Sequence, residues 1–418
     1  MTRNFSTVFG EPLSEVSKRY VDEVRLKITQ PISPIFDTDF NIFRFIMAAE
    51  RLKKKGKDIV DSAASALNNH LRIRKALDLD NQPVKNFDEN PLFQRKLMPR
   101  GEILEAHDRH NSLLWYIEYA TITVESIAHA LQSSEACKYQ FWQFEYMLRQ
   151  VMAQEKKTGR LSSIRHIVDM NGYEINPFTM IFVSSGTLAY YSQLFHYDNY
   201  PELVTPIDIV NVAKWIYVPY NIARAMMPAG FCDKFRLHDT NFLKGLTEDI
   251  DINYIPTTLG GKNKDISCIE AVRIPQCEYW VSDRPDLLDQ LESFQIPPRK
   301  SRYITLEIME PKTLNWYFRT DGDVFFGVFY EEKYDIRKEY HLDLDSLEMV
   351  YPWLKLSAKL VHEKDFIKCT KNGRYYVVFS NEHSWFSRRT IDIYVHITEM
   401  GGNSKRLHSN GTLSPITS

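Results

Sequence analysis

Few residues of this chain have the types and spacing that catalysis requires. His166 lies close to Asp169, as an acid–base pair would, but a single histidine within an apolar stretch is more often structural. Gly260-Gly261-Lys262-Asn263 has glycines and a lysine, but it lacks the upstream glycine and the Ser or Thr of a phosphate-binding loop. The sequence also contains no nucleophile elbow and no His-Glu-x-x-His helix. We therefore expect no catalytic residues and no enzymatic activity.

The cysteines give no sign of a metal site or a disulfide framework. There are five, an odd number, and they are scattered through the chain without metal-ligand spacing. They are Cys137, Cys232, Cys268, Cys277 and Cys369. We expect reduced thiols in an intracellular protein, with no metal and no cofactor.

Composition indicates a folded protein with two to three domains. Of the 418 residues, 44% are hydrophobic and 13% aromatic, which argues against disorder. The 52 basic and 54 acidic residues give a net charge of −2, so we expect no nucleic-acid partner. No window approaches the roughly 20 apolar residues of a transmembrane helix, and no apolar signal core follows Met1. We expect a cytoplasmic protein.

The first 80 residues predict a short leader and a small helical lobe. The leader spans residues 1–36 and ends in prolines. A helix is expected from Ile42 to Leu52, after the capping residues Asp37-Thr38-Asp39, and a second from Ile59 to Lys75. Together these two helices form a lobe at residues 37–80.

Residues 100–263 predict an α/β domain. Strands alternate with helices, which implies a mainly parallel sheet with right-handed crossovers. The expected strands are Leu113–Tyr119, Ile164–Asp169 and Ile207–Val212, the expected helices are 126–155 and 177–195, and a last strand is expected to end near Gly260-Gly261. Between the last strands lies Val218–Phe231, an apolar helix interrupted by prolines, in which Arg224 is the only ionic residue. Such a segment suits a lid over an apolar cavity.

This order of motifs resembles the CRAL-TRIO family, which includes fungal phosphatidylinositol transfer proteins and carriers of vitamin E and retinal. The resemblance rests on Tyr200-Pro201-Glu202, Asn211, Lys234 and the ending Pro256–Gly261. It implies an apolar lipid pocket closed by a gate helix. The gate and pocket residues would be Pro219, Ile222, Ala225, Met226, Met227 and Phe231.

The same resemblance implies residues that contact a lipid headgroup. In members that bind phosphatidylinositol, a glutamate and a lysine contact the inositol phosphate, and they match Glu202 and Lys234. The arginines on the helical lobe of those members fall on Met47 and Ala49, so that Arg44 remains as the third candidate. The cargo is therefore open between a phosphatidylinositol, another phospholipid, and a sterol or isoprenoid.

Residues 275–400 predict an all-β sandwich, followed by a flexible polar tail at 401–418. The expected strands are Tyr303–Ile308, Leu314–Arg319, Val324–Tyr330, Leu354–Val361, Arg374–Phe379 and Thr390–Ile397. The region resembles the GOLD (Golgi dynamics) domain in three stretches, which are Leu314–Phe318, Asp323–Val328 and Gly373–Trp385. In this region Trp385, Phe386 and Arg388 could contact a membrane surface or a partner protein, or form a corner of the β core.

The sequence thus predicts a multi-domain carrier, with a helical N-lobe, an α/β lipid-binding domain and a β-sandwich that targets it. We expect it to bind and transfer a hydrophobic ligand such as a phospholipid, and to associate with membranes peripherally and transiently. The alternative is an interaction scaffold on Golgi-type membranes, in which the pocket is collapsed and no lipid is transferred.

Overall fold

A computed structural model of the chain describes residues 7–52, 57–121, 124–173, 199–212, 234–238, 240–332 and 342–416. These residues form an N-terminal helical lobe, an α/β region and a C-terminal β region. The predicted gate segment, Val218–Phe231, and the helix expected at 177–195 lie outside them.

Three helices form the N-terminal lobe: α1 (Glu15–Arg25), α2 (Asp39–Arg51) and α3 (Lys57–Ala76). Helix α2 begins after Thr38, whose hydroxyl accepts a hydrogen bond from the backbone N–H of Asn41, as the predicted cap requires. The apolar faces of all three helices join one core, to which α1 contributes Val21 and Val24. The predicted leader therefore folds onto the lobe through α1.

The α/β region is built on a five-stranded sheet in the order β1–β2–β3–β4–β5. Strand β1 is antiparallel to β2, whereas β2, β3, β4 and β5 are parallel. The strands are β1 (Glu102–His107), β2 (Leu113–Glu118), β3 (Ile164–Asp169), β4 (Val204–Val210) and β5 (Phe235–Leu237). Strand β1 is only partly buried, so it lacks the apolar run that made β2 and β3 recognisable in the sequence.

Helices and short connections cover both faces of this sheet. The helices are α4 (Pro91–Gln94), α5 (Val124–Ala130), α6 (Ser133–Thr158) and α7 (Phe242–Thr247). Side chains of α6 and the N-terminal lobe share a core with one face, whereas Leu246, Ile250 and Ile255 pack on the other. The single helix expected at 126–155 is thus divided into α5 and α6.

Two boundaries of the predicted sheet were wrong. Strand β4 begins at Val204 rather than at Ile207, because Val204 pairs with Ile164. The chain around Gly260-Gly261 is not a strand; it contains the 3₁₀ turn Thr257–Leu259. Gly260 has φ +83°, and a Cβ on Gly261 would lie 2.1 Å from the carbonyl oxygen of Ile255, so both positions require glycine. The last strand of the described sheet is β5.

The C-terminal half is an antiparallel sandwich of two sheets. One sheet has the order β10–β9–β12–β7, and the other has the order β11–β8–β13–β14–β15, with β6 also paired to β13. The strands are β6 (Glu292–Ile296), β7 (Ser301–Ile308), β8 (Lys312–Thr320), β9 (Val324–Glu331), β10 (Glu348–Leu356), β11 (Glu363–Cys369), β12 (Gly373–Ser380), β13 (Arg389–Glu399), β14 (Ser404–Leu407) and β15 (Leu413–Pro415), with helix α8 (Pro285–Leu288) before them. Phe318 contacts both Phe326 and Phe379 of the facing sheet, at ring-centroid distances of 4.9 and 5.1 Å.

The prediction of a flexible tail at residues 401–418 was wrong, because this segment contains the strands β14 and β15. Strand β14 pairs with β13, and β15 pairs with β14. Leu407 is buried in the core, which fixes a segment whose polar composition suggested disorder. The strand expected at Leu354–Val361 also lies earlier, as β10.

Candidate functional site

The candidate site is built around Glu202, in the turn that leads into β4. Two residues earlier in this turn, Tyr200 is buried and its hydroxyl donates to Glu145 Oε1 at 2.7 Å. The side chain of Asn199 lies 3.4 Å from Nδ1 of His70. Glu202 itself has φ +56°, a left-handed backbone conformation that costs a non-glycine residue about 1 kcal/mol or more. The anchored turn thus holds the Glu202 side chain in one direction.

Two cations converge on the Glu202 carboxylate. Arg51, in the last turn of α2, donates from Nε to Oε1 at 2.8 Å and from Nη2 to Oε2 at 2.6 Å. Lys234, just before β5, places Nζ 3.1 Å from Oε1. The Glu202 side chain is fully buried, Lys234 is almost so, and Arg51 is 23% exposed. We call these three residues the Glu202 cluster.

The cluster keeps Glu202 ionised. Burial by itself would raise the pKa of this carboxyl, but Lys234 and Arg51 outweigh burial and lower the pKa to about 2. A bidentate guanidinium and an ammonium are also groups that bind phosphate oxygens, and a carboxylate accepts hydrogen bonds from hydroxyls. In this structure these groups contact one another.

Arg44, the third headgroup candidate from the sequence, does not join this cluster. It is 2% exposed and donates to Glu155 Oε1 at 2.5 Å and to the carbonyl of Ser162 at 2.8 Å. Its Nη1 donates to Asn41 at 3.2 Å. These contacts tie α2 to the C-terminal part of α6, because the inward face of α2 packs there.

Arg51 is the residue that the sequence reasoning missed. It lies two helical turns after Arg44 on the same face of α2, so the spacing could have identified it. The prediction followed the positions at which phosphatidylinositol-binding CRAL-TRIO members carry arginines. In this chain those positions are Met47 and Ala49, and both are buried. The cationic contact to Glu202 comes from the following turn instead.

His166 is part of the core. Its ring stacks on Trp115 of the neighbouring strand, with centroids 3.8 Å apart and an interplanar angle of 11°. Burial lowers the pKa of His166 to about 3, so the ring is neutral at physiological pH. Among the described residues, His166 Nε2 and Trp115 Nε1 have no hydrogen-bond partner.

A cleft of about 380 Å³, counted with its open mouth, lies at the carboxyl edge of the sheet. Its lining mixes apolar and polar residues, including Tyr116, Glu118, Asp169, Thr257 and Cys268. The apolar pocket expected from the sequence stays a prediction. The six residues expected to roof that pocket, from Pro219 to Phe231, lie outside the described part of the chain.

The residues predicted to contact a membrane or a partner protein lie on the surface of the sandwich. Trp385 and Phe386 are 70% and 94% exposed, and Arg388 is exposed beside them, so the alternative of a β-core corner is wrong. The described residues contain no cluster of metal-ligating side chains. Within the same residues, no helix has the length and apolar character needed to cross a bilayer.

Three family models match successive parts of the chain. Residues 13–82 match a domain of unknown function, DUF8435. Residues 99–261 match the CRAL/TRIO domain, and residues 279–407 match an F28H7_8_C-like C-terminal domain. The middle region of the chain, with its parallel sheet, is thus similar to CRAL/TRIO domains.

Two relatives from Caenorhabditis elegans align over nearly the whole chain. CRAL-TRIO domain-containing protein F28H7.8 is 24% identical over 394 residues, covering 93% of this chain and 92% of that protein. Protein ctg-1 is 21% identical over 395 residues, covering 91% of this chain and 97% of that protein. Among solved structures, the crystal structure of Sfh5 aligns with a TM-score of 0.39 and 15% identity, covering 60% of this chain and 89% of that one.

Proposed function

We propose that this protein binds a hydrophobic ligand in its α/β region and transfers it between membranes without covalent chemistry. The observation that carries the proposal is the match of residues 99–261 to the CRAL/TRIO domain, a family of lipid-binding domains. The ligand class is a phospholipid such as phosphatidylinositol, or another lipid. The C-terminal sandwich, which resembles GOLD domains in sequence, would target the carrier to a membrane or a partner.

Lipid transfer demands an enclosing pocket. A diacyl lipid that leaves a bilayer exposes about 30 methylenes at roughly 0.8 kcal/mol each, a gross cost on the order of 20 kcal/mol. Only burial of nearly the whole lipid offsets that cost, and an enclosed ligand requires a part of the protein that opens. The apolar, proline-interrupted sequence of Val218–Phe231 is suited to that task.

The Glu202 cluster supports recognition of a phosphoinositol headgroup. Arg51 and Lys234 would bind the phosphate, and Glu202 would accept hydrogen bonds from ring hydroxyls. In the described structure the three side chains bind one another, so a headgroup would have to exchange with these contacts. The pKa of about 2 belongs to the paired state, in which Lys234 and Arg51 outweigh burial, so Glu202 is ionised before the exchange begins.

Native mass spectrometry tests the binding of lipid directly. The full-length protein, incubated with mixed phosphatidylinositol and phosphatidylcholine vesicles and re-purified, should retain one lipid per chain. It should also move fluorescent lipid between donor and acceptor vesicles. If neither retention nor transfer is seen with any of the lipid classes offered, the proposal is wrong.

Substitution of Lys234 tests the headgroup assignment. Lys234→Gln should lower the retained ratio of phosphatidylinositol to phosphatidylcholine about tenfold, the effect of losing one charged contact of about 1.4 kcal/mol. Lys312→Gln is the matched control, since Lys312 is also a mostly buried lysine paired with carboxylates, but lies in the sandwich. An unchanged ratio in Lys234→Gln would remove the headgroup assignment while leaving lipid binding intact.

The alternative function is an interaction scaffold without lipid transfer. The exposed Trp385 and Phe386 on the sandwich favour it, because they offer a contact surface that no cargo needs. Ala225→Trp should separate the two functions. It adds bulk to the predicted gate, so it should abolish lipid retention in a carrier and leave partner binding by a scaffold unchanged.

A further inference from the structure

The loop between β12 and β13, residues 381–388, presents two adjacent aromatic side chains to solvent. Trp385 is 70% exposed and Phe386 is 94% exposed. We call these two side chains the aromatic tip. Single exposed apolar side chains are common on protein surfaces, but a neighbouring Trp and Phe at the end of a sandwich form a concentrated apolar surface.

The loop that carries the aromatic tip is well anchored. Asn381 is buried; its backbone N–H donates to the carbonyl of Lys300 at 2.8 Å, and its side-chain amide donates to the carbonyls of Ile296 at 3.2 Å and Ser387 at 2.8 Å. Within the loop, Ser384 Oγ donates to the carbonyl of Ser387 at 3.0 Å and accepts from its N–H at 3.1 Å. The exposure of the aromatic rings is thus a property of an ordered loop.

Basic residues are frequent in the two chain segments that form this corner of the sandwich. The segments 297–302 and 381–389, which pair with each other, contain one acidic residue, Glu382, and five basic ones. The basic residues are Arg299, Lys300, Arg302, Arg388 and Arg389. The guanidinium carbon of Arg299 lies 4.4 Å from the centre of the Trp385 ring, a cation–π contact, and Arg299 also donates to the carbonyl of Glu382 at 2.6 Å. The adjoining β8–β9 turn adds Asp321 and Asp323, and the three segments together still carry five basic and three acidic residues, on a chain whose net charge is −2.

We propose that the aromatic tip and its basic surroundings dock the protein on the surface of an anionic lipid bilayer. Trp and other aromatic side chains partition into the headgroup region, and neighbouring Arg and Lys side chains are attracted by anionic lipids. Both rings are mostly exposed, so they are accessible to the headgroup region of a bilayer. The combination of these rings with a local excess of positive charge identifies the anionic bilayer as the occupant of this surface.

The aromatic tip lies at the end of the sandwich that adjoins the α/β region. At this end, Ser357 donates its backbone N–H to Ser133 Oγ at 2.8 Å, at the start of α6. The β8–β9 turn lies between this contact and the aromatic tip. The backbone N–H of Thr320 donates to the carbonyl of Ala358, next to Ser357, and that of Asp321 donates to the carbonyl of Thr390, at the start of β13. Docking through the tip would therefore bring the end of the sandwich that contacts α6 to the bilayer. This inference specifies the targeting role given in the proposed function. Its biological purpose rests on that function, but the docking itself does not.

Vesicle co-sedimentation with the full chain tests this docking. The wild-type protein should bind vesicles of phosphatidylcholine with about 30% phosphatidylserine at least tenfold more strongly than vesicles of phosphatidylcholine alone. Trp385→Ser with Phe386→Ser should lower binding to the anionic vesicles at least tenfold. Arg388→Glu should lower it about fivefold or more, and this electrostatic part of the binding should weaken with added salt.

The matched control removes two apolar side chains of similar exposure from the other end of the sandwich. Met309 is 78% exposed and Met400 is 88% exposed, in the β7–β8 and β13–β14 turns. Met309→Ser with Met400→Ser should leave vesicle binding unchanged. The inference is overturned if the two double variants bind alike, if the wild type does not prefer anionic vesicles, or if the tip proves to bind a protein while vesicle binding is independent of it.

Bound lipid, measured by native mass spectrometry on the same samples, separates this inference from the proposed function. A tip variant that retains lipid but no longer binds anionic vesicles supports docking through the tip. A wild-type protein that carries no lipid but binds anionic vesicles through the tip removes the carrier function and still supports the docking.

Discussion

Glu202 and His166 are both buried titratable side chains, and their environments fix opposite charge states. Glu202 is surrounded by Arg51 and Lys234, which lower its pKa to about 2 despite burial. His166 stacks on an aromatic ring, and burial outweighs the charge of Asp208 and lowers the histidine pKa to about 3. The first is a buried charged group paired with two cations, and the second is a neutral group of the core.

Replacing His166 with Phe should remove an acid-sensitive contribution to stability. In the unfolded chain the histidine binds a proton near pH 6.5, but in the folded protein only near pH 3. The folded state therefore loses about 2 kcal/mol relative to the unfolded state as the pH falls from 7.5 to 5. Denaturation of the wild type and His166→Phe at both pH values should show a smaller loss for the variant. An equal loss in both proteins would contradict the prediction.

Helix α6 is capped by a side chain from the sandwich. Glu363, in β11, accepts from the backbone N–H of Ser134 at 3.0 Å and from its hydroxyl at 2.5 Å. Gln132, just before the helix, accepts from the backbone N–H of Lys364 at 2.6 Å. A carboxylate at a helix N-terminus is favourable, but complete burial raises the pKa of Glu363 to about 7. The cost of burying the carboxylate thus outweighs its hydrogen bonds from Ser134, and the folded state is more stable when Glu363 is protonated.

Glu363→Gln should stabilise the protein at pH 8. The unfolded pKa is near 4.5 and the folded one about 7, so the wild type loses about 2 kcal/mol of stability from this group as the pH rises from 5 to 8. The amide keeps an acceptor for the Ser134 N–H and cannot ionise. Chemical denaturation at the two pH values measures the effect.

Glu363→Ala is the comparison for this prediction. It leaves the start of α6 without its acceptors and should destabilise the protein by about 1–2 kcal/mol at pH 5. A Glu363→Gln variant that is less stable than the wild type at pH 8 would show that the ionised carboxylate is the favourable form.

The N-terminal lobe, the α/β region and the sandwich share one apolar core. Buried residues of α3, such as Leu67 and Leu71, belong to the same cluster as Met349 and Leu354 of β10. Arg72 of α3 crosses the interface and donates from Nη2 to the carbonyls of Leu344 at 2.6 Å and Leu347 at 2.9 Å. This continuity indicates that the regions unfold together.

Arg72→Ala should weaken this coupling. It leaves two carbonyl groups at the interface without their charged donor, at a cost of about 2–3 kcal/mol. Calorimetry should show one unfolding transition in the wild type, and a lower or divided transition in the variant. Lys75→Ala is the control: Lys75 forms an exposed ion pair with Glu348, which should contribute less than about 1 kcal/mol. Equal effects of the two substitutions would contradict the role of Arg72.

The sequence by itself determined the elements whose local pattern is strong. The buried strands β2 and β3, the capped start of α2, and the aromatic and β-branched runs that form β7, β8, β9 and β12 were all predicted from residue type and spacing. The α/β and all-β regions follow from that alternation. That Glu202 and Lys234 lie at one site was expected only through a family resemblance, because 31 intervening residues separate them in the chain. Their ion pair was not predicted.

Only the tertiary structure decided which charged residues meet. Arg44 and Arg51 lie on one face of α2. Arg44 donates to Glu155 of α6, whereas Arg51 donates to Glu202 in the turn before β4. Likewise β14 and β15 have no apolar pattern of their own, and they are ordered by pairing along the edge of a sheet that was already formed. Long-range pairing and the enclosure of charge depend on neighbours that are distant in sequence, so local composition could not specify them.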